Sequence, residues 1–220
     1  FMFATAAARR LPRDVVASAP AAKKEKAELR SAGVVLATAA MVLIRATAGF
    51  LTFHLFFWLR GEFGLVWFGT AALATTLGSM LGNLVAPVLR RSLREEVMLT
   101  GALSVIAVAG LGAAATAGLV AAILLAFMVN FSTATGRQAF DSIVQRDAPD
   151  ANQGRAFARF ETRFQLSWAI AAMIPIATIA NGTGPTVLVS AGTHGDEYEG
   201  QIAARRLLAE VDPADVSGRI

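Results

Sequence analysis

The sequence has no cysteine, and charge is scarce: Asp, Glu, Lys and Arg make up 16% of its 220 residues. Without cysteine neither a disulfide nor a thiolate metal site can form. Soluble domains carry roughly a quarter charged residues, and here the deficit is uneven. Charge is absent from long runs and packed into the gaps between them, which is the composition of a chain solvated by hydrocarbon. A soluble helical core does not fit, because its helices would be amphipathic and shorter. No secretory signal is present, since the apolar stretch at 1–8 is too short. The isoelectric point of about 10.3 does not point to nucleic acid, because the basic residues flank apolar runs instead of alternating with stacking aromatics. Phe1 in place of Met reads as the start of a fragment.

What is present divides into three. Residues 1–30 form a basic cytoplasmic lead-in with Arg9, Arg10, Arg13, Lys23, Lys24, Lys26 and Arg30. Residues 31–180 hold five runs at or near the ~20 residues that cross a bilayer, expected at 34–59, 63–89, 97–117, 119–135 and 164–180. The fourth helix is expected to run past Arg137, and the fifth sits at the short limit, with Arg163 at the interface. Residues 181–220 are different in kind. If all five runs cross, fifteen Lys and Arg fall on one side and one, Arg60, on the other. That asymmetry places the lead-in in the cytoplasm and the C-terminal segment outside, in a multi-pass plasma-membrane protein. The fold class expected is therefore an all-α membrane protein followed by a short β-loop-α segment.

Within the runs, Gly78-Ser-Met-Leu-Gly82 has the small-xxx-small spacing that lets helix backbones approach closely. Pro87 removes a helix hydrogen bond that neighbours must replace. Arg45 lies inside the first run, where a charge costs at least ~2.5 kcal/mol. It should face the bundle interior or a water cavity, as a counter-charge for an anionic solute or as a snorkelling residue. Asn83 and Asn130 either share a polar path with Arg45 or make helix–helix hydrogen bonds. Arg137 and Asp141 stand four apart and can pair. Arg155, Arg159 and Arg163 share one helical face. Opposite Asp141, Asp147 or Glu161 they would form an ion-pair layer at the cytoplasmic end, or they would simply face water and headgroups.

Three stretches carry a family resemblance: Arg137-Gln-Ala-Phe-Asp141, then Arg146-Asp147-Ala-Pro149, then Gly154-Arg-Ala-Phe-Ala-Arg-Phe160. With Gly82-Asn-Leu-Val-Ala-Pro87-Val-Leu-Arg90-Arg91, they make residues 27–180 resemble the C-terminal half of a major facilitator superfamily transporter. The resemblance implies five helices of a half-transporter bundle, a missing N-terminal half, alternating access and no cofactor. The partners it implies are the lipid bilayer and a small solute of unknown identity.

After residue 180 a turn (182–185) precedes a β-branched run at 186–191, a Gly-rich acidic loop, an amphipathic helix at 201–211 and a stop at Asp212-Pro213. Gly192-Thr-His194-Gly-Asp-Glu197-Tyr-Glu-Gly200 resembles the first zinc motif of the succinylglutamate desuccinylase and aspartoacylase family. The resemblance implies zinc, with His194 and Glu197 as two ligands. The third ligand, the substrate-binding Arg and the general-base Glu would lie beyond Ile220. A catalytic zinc needs three protein ligands and an open position, so this chain is expected not to be an enzyme. The leading expectation is a transporter fragment joined to a hydrolase fragment. The alternatives are a zinc-dependent amidohydrolase or deacylase and a membrane anchor presenting a soluble domain.

Overall fold

The computed structural model describes residues 23–116, 118–149, 151–174, 179–185, 187, 189 and 198–220. The chain forms two compact units, divided between Ile174 and Pro175. The greater part of the lead-in, 1–22, lies outside the described residues.

In the first unit a short helix α1 (Lys23–Glu28) precedes five longer ones: α2 (Ala32–Glu62), α3 (Leu65–Leu89), α4 (Glu95–Thr116), α5 (Leu119–Asp147) and α6 (Gln153–Ala172). Ser31 opens α2, its hydroxyl accepting from the Val34 N–H at 3.4 Å, as a serine cap does. Val34, Ala37, Met41, Ile44, Ala48, Leu51 and Leu55 are all buried. They alternate three and four apart, the seam spacing of packed helices. The turn into α3 passes through Gly64 at φ 79°, a left-handed conformation that a side chain would strain.

The helix α5 is the centre, packed against α2, α3 and α4. The α3 face turned to it consists of Ala71, Gly78, Gly82 and Ala86. A Cβ at Gly78 would strike the Phe127 carbonyl oxygen, and one at Gly82 would lie 2.6 Å from that of Phe131. The close approach expected of these glycines is thus made with α5. Pro87 leaves the Asn83 carbonyl without its helical donor, and Gln138 Nε2 of α5 takes the place at 3.2 Å. The outward face of α3 carries Leu73, Leu77, Met80, Leu81, Leu84 and Val88, all exposed. Small residues inside and large apolar ones outside invert what water would select.

Among the described residues four helices, α2 to α5, are long and apolar enough to cross a membrane. The fifth span expected at 164–180 is not one of them. Its helix starts at Gln153 and ends at Ala172. Arg155, Arg159, Glu161 and Arg163 occupy the first half, which leaves only 164–172 apolar. Pro175 then disfavours the helical conformation of the residue before it and supplies no N–H. By Ala180 the backbone is paired as a strand, so helix does not extend to the end of that run.

In the second unit β1 (Ala180–Asn181) pairs antiparallel with β2 (Gly218–Arg219), and α7 (Tyr198–Glu210) lies between them in sequence. On its other side the last segment meets 185–187. Val187 N–H donates to the Arg219 carbonyl at 2.8 Å, and Arg219 N–H donates to the Pro185 carbonyl at 3.0 Å. One residue bonding to two that flank a single position is the parallel pattern. A parallel pair bridged by a helix is a β-α-β crossover. Gly218, at φ 115°, faces the Pro185 carbonyl so closely that a Cβ could not fit. The expected helix at 201–211 is present, shifted three residues toward the N-terminus at its start.

Candidate functional site

In the helical unit, polar side chains from three helices form a chain. Arg137 on α5 donates to Asp141 Oδ1 at 3.0 Å and to Glu161 on α6. Glu161 accepts from Gln165 at 2.7 Å, and Arg45 on α2 donates to Gln165 Oε1 at 3.2 Å. The hydrogen bond from Arg137 holds the Glu161 carboxyl below the usual glutamate value, against a smaller upward push from partial burial. Arg137 also lies 5.7 Å above the Phe164 ring. Phe164 belongs to an aromatic knot with Phe140 and Phe160, the centroids of Phe140 standing 5.1 Å from each of the others. This knot locks α5 to α6 beneath the ion pairs.

For Asn83 and Asn130 the sequence leaves two readings, a polar path shared with Arg45 or helix–helix hydrogen bonds. No hydrogen bond among the described residues joins them. Arg45 bonds Gln165, and the Asn83 amide oxygen accepts from Gln138 at 3.2 Å. Asn130 donates to Ala126 of its own helix at 2.9 Å. The Arg137–Asp141 pair forms as expected. Arg155 does not meet Asp141, Asp147 or Glu161; it clamps Glu25 on α1 with two bonds of 3.2 and 3.0 Å. Arg159 and Arg163 face a cleft instead.

Arg146 is a junction the sequence reading left out of the layer. It bonds Glu95 at 3.2 Å, Glu96 at 2.7 Å and Asp147 at 2.7 Å. Two adjacent acids opening α4 beside a lone Arg closing α5 were a readable sign, because acids favour a helix N-terminus.

In the second unit, His194 and Glu197 lie outside the described residues, as do the other residues of 190–197. Chain order puts this stretch between the first parallel segment and α7. In open α/β sheets, ligands bind beyond the carboxyl ends of strands. Among the described residues no group of three His, Asp or Glu could hold a metal ion. The described residues therefore do not by themselves fit a zinc site. Val187, Val189, Ile202 and Leu208 are each about half exposed.

Residues 183–220 match the model of the succinylglutamate desuccinylase/aspartoacylase catalytic domain. The chain is similar, at 46% identity over 50 residues, to the N-alpha-acetyl-L-2,4-diaminobutyric acid deacetylase of Halomonas elongata. That stretch is 23% of this chain and 15% of the relative, so the chain spans a small part of the protein it matches. No solved structure matches the chain. These findings overturn two expectations. The transporter reading of 27–180 has no support in any comparison, and the matches that exist are to a hydrolase. The charged stretches behind it are explained by local needs: Arg137 pairs within the bundle, Arg146 ties α4 to α5, and Arg155 neutralises Glu25. The expectation that the chain is not an enzyme falls too, because the matched model is a catalytic domain and the relative a deacetylase. The C-terminal segment resembles that catalytic domain.

Proposed function

We propose that the chemistry of this chain resides in 183–220, which contributes the opening strand–loop–helix of a zinc-dependent deacylase that hydrolyses the amide bond of N-acyl amino acids. The observation that carries this is the match of residues 183–220 to a deacylase catalytic domain, on described residues that fold around a parallel pair and a helix, the arrangement that sets a loop at a strand's carboxyl end; the 46% identity over 50 residues to a deacetylase supports it. His194 and Glu197 would hold the metal, which would supply a Lewis acid and an activated water. In this reading the half-exposed Val187, Val189, Ile202 and Leu208 are the positions that further layers of a complete catalytic domain would cover.

We further propose that α2–α5 lie in a bilayer and that the helical unit serves as an anchor. Leu36, Leu65, Val66, Val108 and Leu111 are each about 70–80% exposed, a distribution that hydrocarbon favours and water opposes. The fifteen-to-one asymmetry of basic residues holds for five crossings, and α6 is not among the four candidate spans of the described residues. With four, the lead-in and the Arg90–Arg94 turn remain on the cytoplasmic side.

Zinc titration of the full chain tests the deacylase reading, with His194→Ala and Glu197→Gln beside it. One zinc is expected per chain, bound weakly because two ligands do not close a site, and each variant should abolish it. Equal zinc uptake by all three proteins would overturn the assignment of the two ligands.

A further inference from the structure

Arg155 and Glu25 bond through two contacts, and the Glu25 side chain is only 6% exposed. That pair consumes the acid facing α6 at this end of the bundle. One and two turns on, Arg159 and Arg163 extend from the same face of α6. They line one cleft with Lys26 of α1 and Arg30 of the following turn, around a volume of about 400 Å³. Leu29, Val35, Ala156 and Phe160 complete the lining among the described residues, and none of these lining residues is an acid. Among the described residues none of the four cations has an acidic partner, whereas Lys24 reaches Glu28 at 4.0 Å and Arg146 holds three carboxylates. Four like charges around one small space repel one another unless an anion sits among them.

The place of the cleft narrows the choice of anion. Val35 belongs to the first apolar turn of α2, where the charged lead-in ends and the long apolar run begins. Beside it Val35 and Leu36 are 51% and 70% exposed. A ligand with a charged head in the cleft would have its apolar remainder continue along those side chains. Guanidinium groups match phosphate oxygens in pairs, and basic pockets between membrane helices suit anionic headgroups.

We propose that Lys26, Arg30, Arg159 and Arg163 form a binding site for the phosphate headgroup of an anionic phospholipid. This rests on the bilayer reading of α2–α5 and is independent of the deacylase reading. With four cations, a headgroup of more than one negative charge is preferred over a singly charged one. The headgroup would tie α1 and α6 together at the bilayer edge, beside the Arg155–Glu25 clamp.

The test uses the full chain in neutral detergent, with retention of phosphatidic acid followed by native mass spectrometry. Three variants are compared: Arg159→Gln with Arg163→Gln, Lys26→Gln with Arg30→Gln, and, as control, Arg90→Gln with Arg91→Gln, which removes equal charge from the exposed turn before α4. All six side chains are exposed, so folding is expected to survive. Each cleft variant should weaken retention about twenty-five-fold, two basic groups at about fivefold each. The control should change it by less than about threefold. Equal loss in the control, or no loss in either cleft variant, would overturn the site. Competition by inorganic phosphate at the same concentration as the lipid would overturn the lipid and leave a free-anion site. Flotation with phosphatidylcholine vesicles separates the two readings. A chain that fails to float refutes the bilayer, whereas one that floats without selecting phosphatidic acid refutes the cleft alone.

Discussion

The two units differ in what makes them readable. Residues 23–174 are governed by hydropathy and periodicity, and their helices follow from run length, caps and small-residue seams. The matched catalytic-domain model lies outside them. Residues 179–220 are governed by one short motif, are only partly described, and bury little of their apolar surface. They are nonetheless the part that resembles a known catalytic domain. Periodicity is a repeated signal that specifies architecture and says little about chemistry. A Gly-rich loop with two metal-ligating residue types says much about chemistry and little about how it is held.

That contrast can be broken from the helical side first. Phe140→Ala should be the most damaging single change, about 3–5 kcal/mol by the usual cost of deleting a buried phenyl ring. Phe160 and Phe164 each lose one ring partner and keep each other; thermal unfolding in detergent would read it. If the outward face of α3 meets lipid, Leu77→Asp should cost about 3 kcal/mol in a bilayer, against at most about 0.5 kcal/mol for a surface change in water. Comparing the two variants in reconstituted membranes and in detergent sharpens the anchor reading. An unperturbed Leu77→Asp protein in membranes would sink it.

A smaller effect separates seam from surface. Gly82→Leu forces a side chain against the Phe131 carbonyl and the Ala134 methyl, whereas a Cβ at Gly101 meets nothing within 4 Å. The first should lose about 1–3 kcal/mol, and Gly101→Leu should be near neutral. The smallest expected effect is with pH. Glu161 is held below its ordinary value by Arg137. Its contribution is therefore complete above the unfolded glutamate value and is lost as pH falls through the lowered folded value. Glu161→Gln should flatten that part of the stability–pH curve while leaving stability near pH 7 only slightly lower.

Much of the first unit was legible because its determinants are local. The pair Gly78 and Gly82, the carbonyl orphaned by Pro87 and the pairing of Arg137 with Asp141 all follow from spacing on one helix, whereas the buried stripe from Val34 to Leu55 does not, because Val35, Leu36, Leu43, Phe53 and Phe57 of the same run are apolar and exposed. The last long helix ends at Ala172, short of the expected 180, because hydropathy averages over Pro175, which disfavours helix in the residue before it. The partner of Arg155 and the cleft beside it were not legible, since Glu25 and Lys26 are brought to α6 by the fold and by no spacing in the chain. The same holds for Arg219, whose bonds to Pro185 and Val187 span α7. On function, charged turns between apolar runs carried too much weight, because ion pairs that merely fasten helices have the same look.

The central claim is that residues 183–220 carry deacylase chemistry. It is tested most directly by exchange: the matched 50 residues of the Halomonas elongata deacetylase are replaced by their counterpart from this chain, and deacetylation is measured with and without His194→Ala. The account predicts that the exchanged enzyme keeps its activity to within about tenfold. It also predicts that His194→Ala lowers activity by more than about a hundredfold, beyond what loss of an outer partner of a metal ligand costs. A folded, zinc-loaded exchanged enzyme no more active than its His194→Ala form would contradict it.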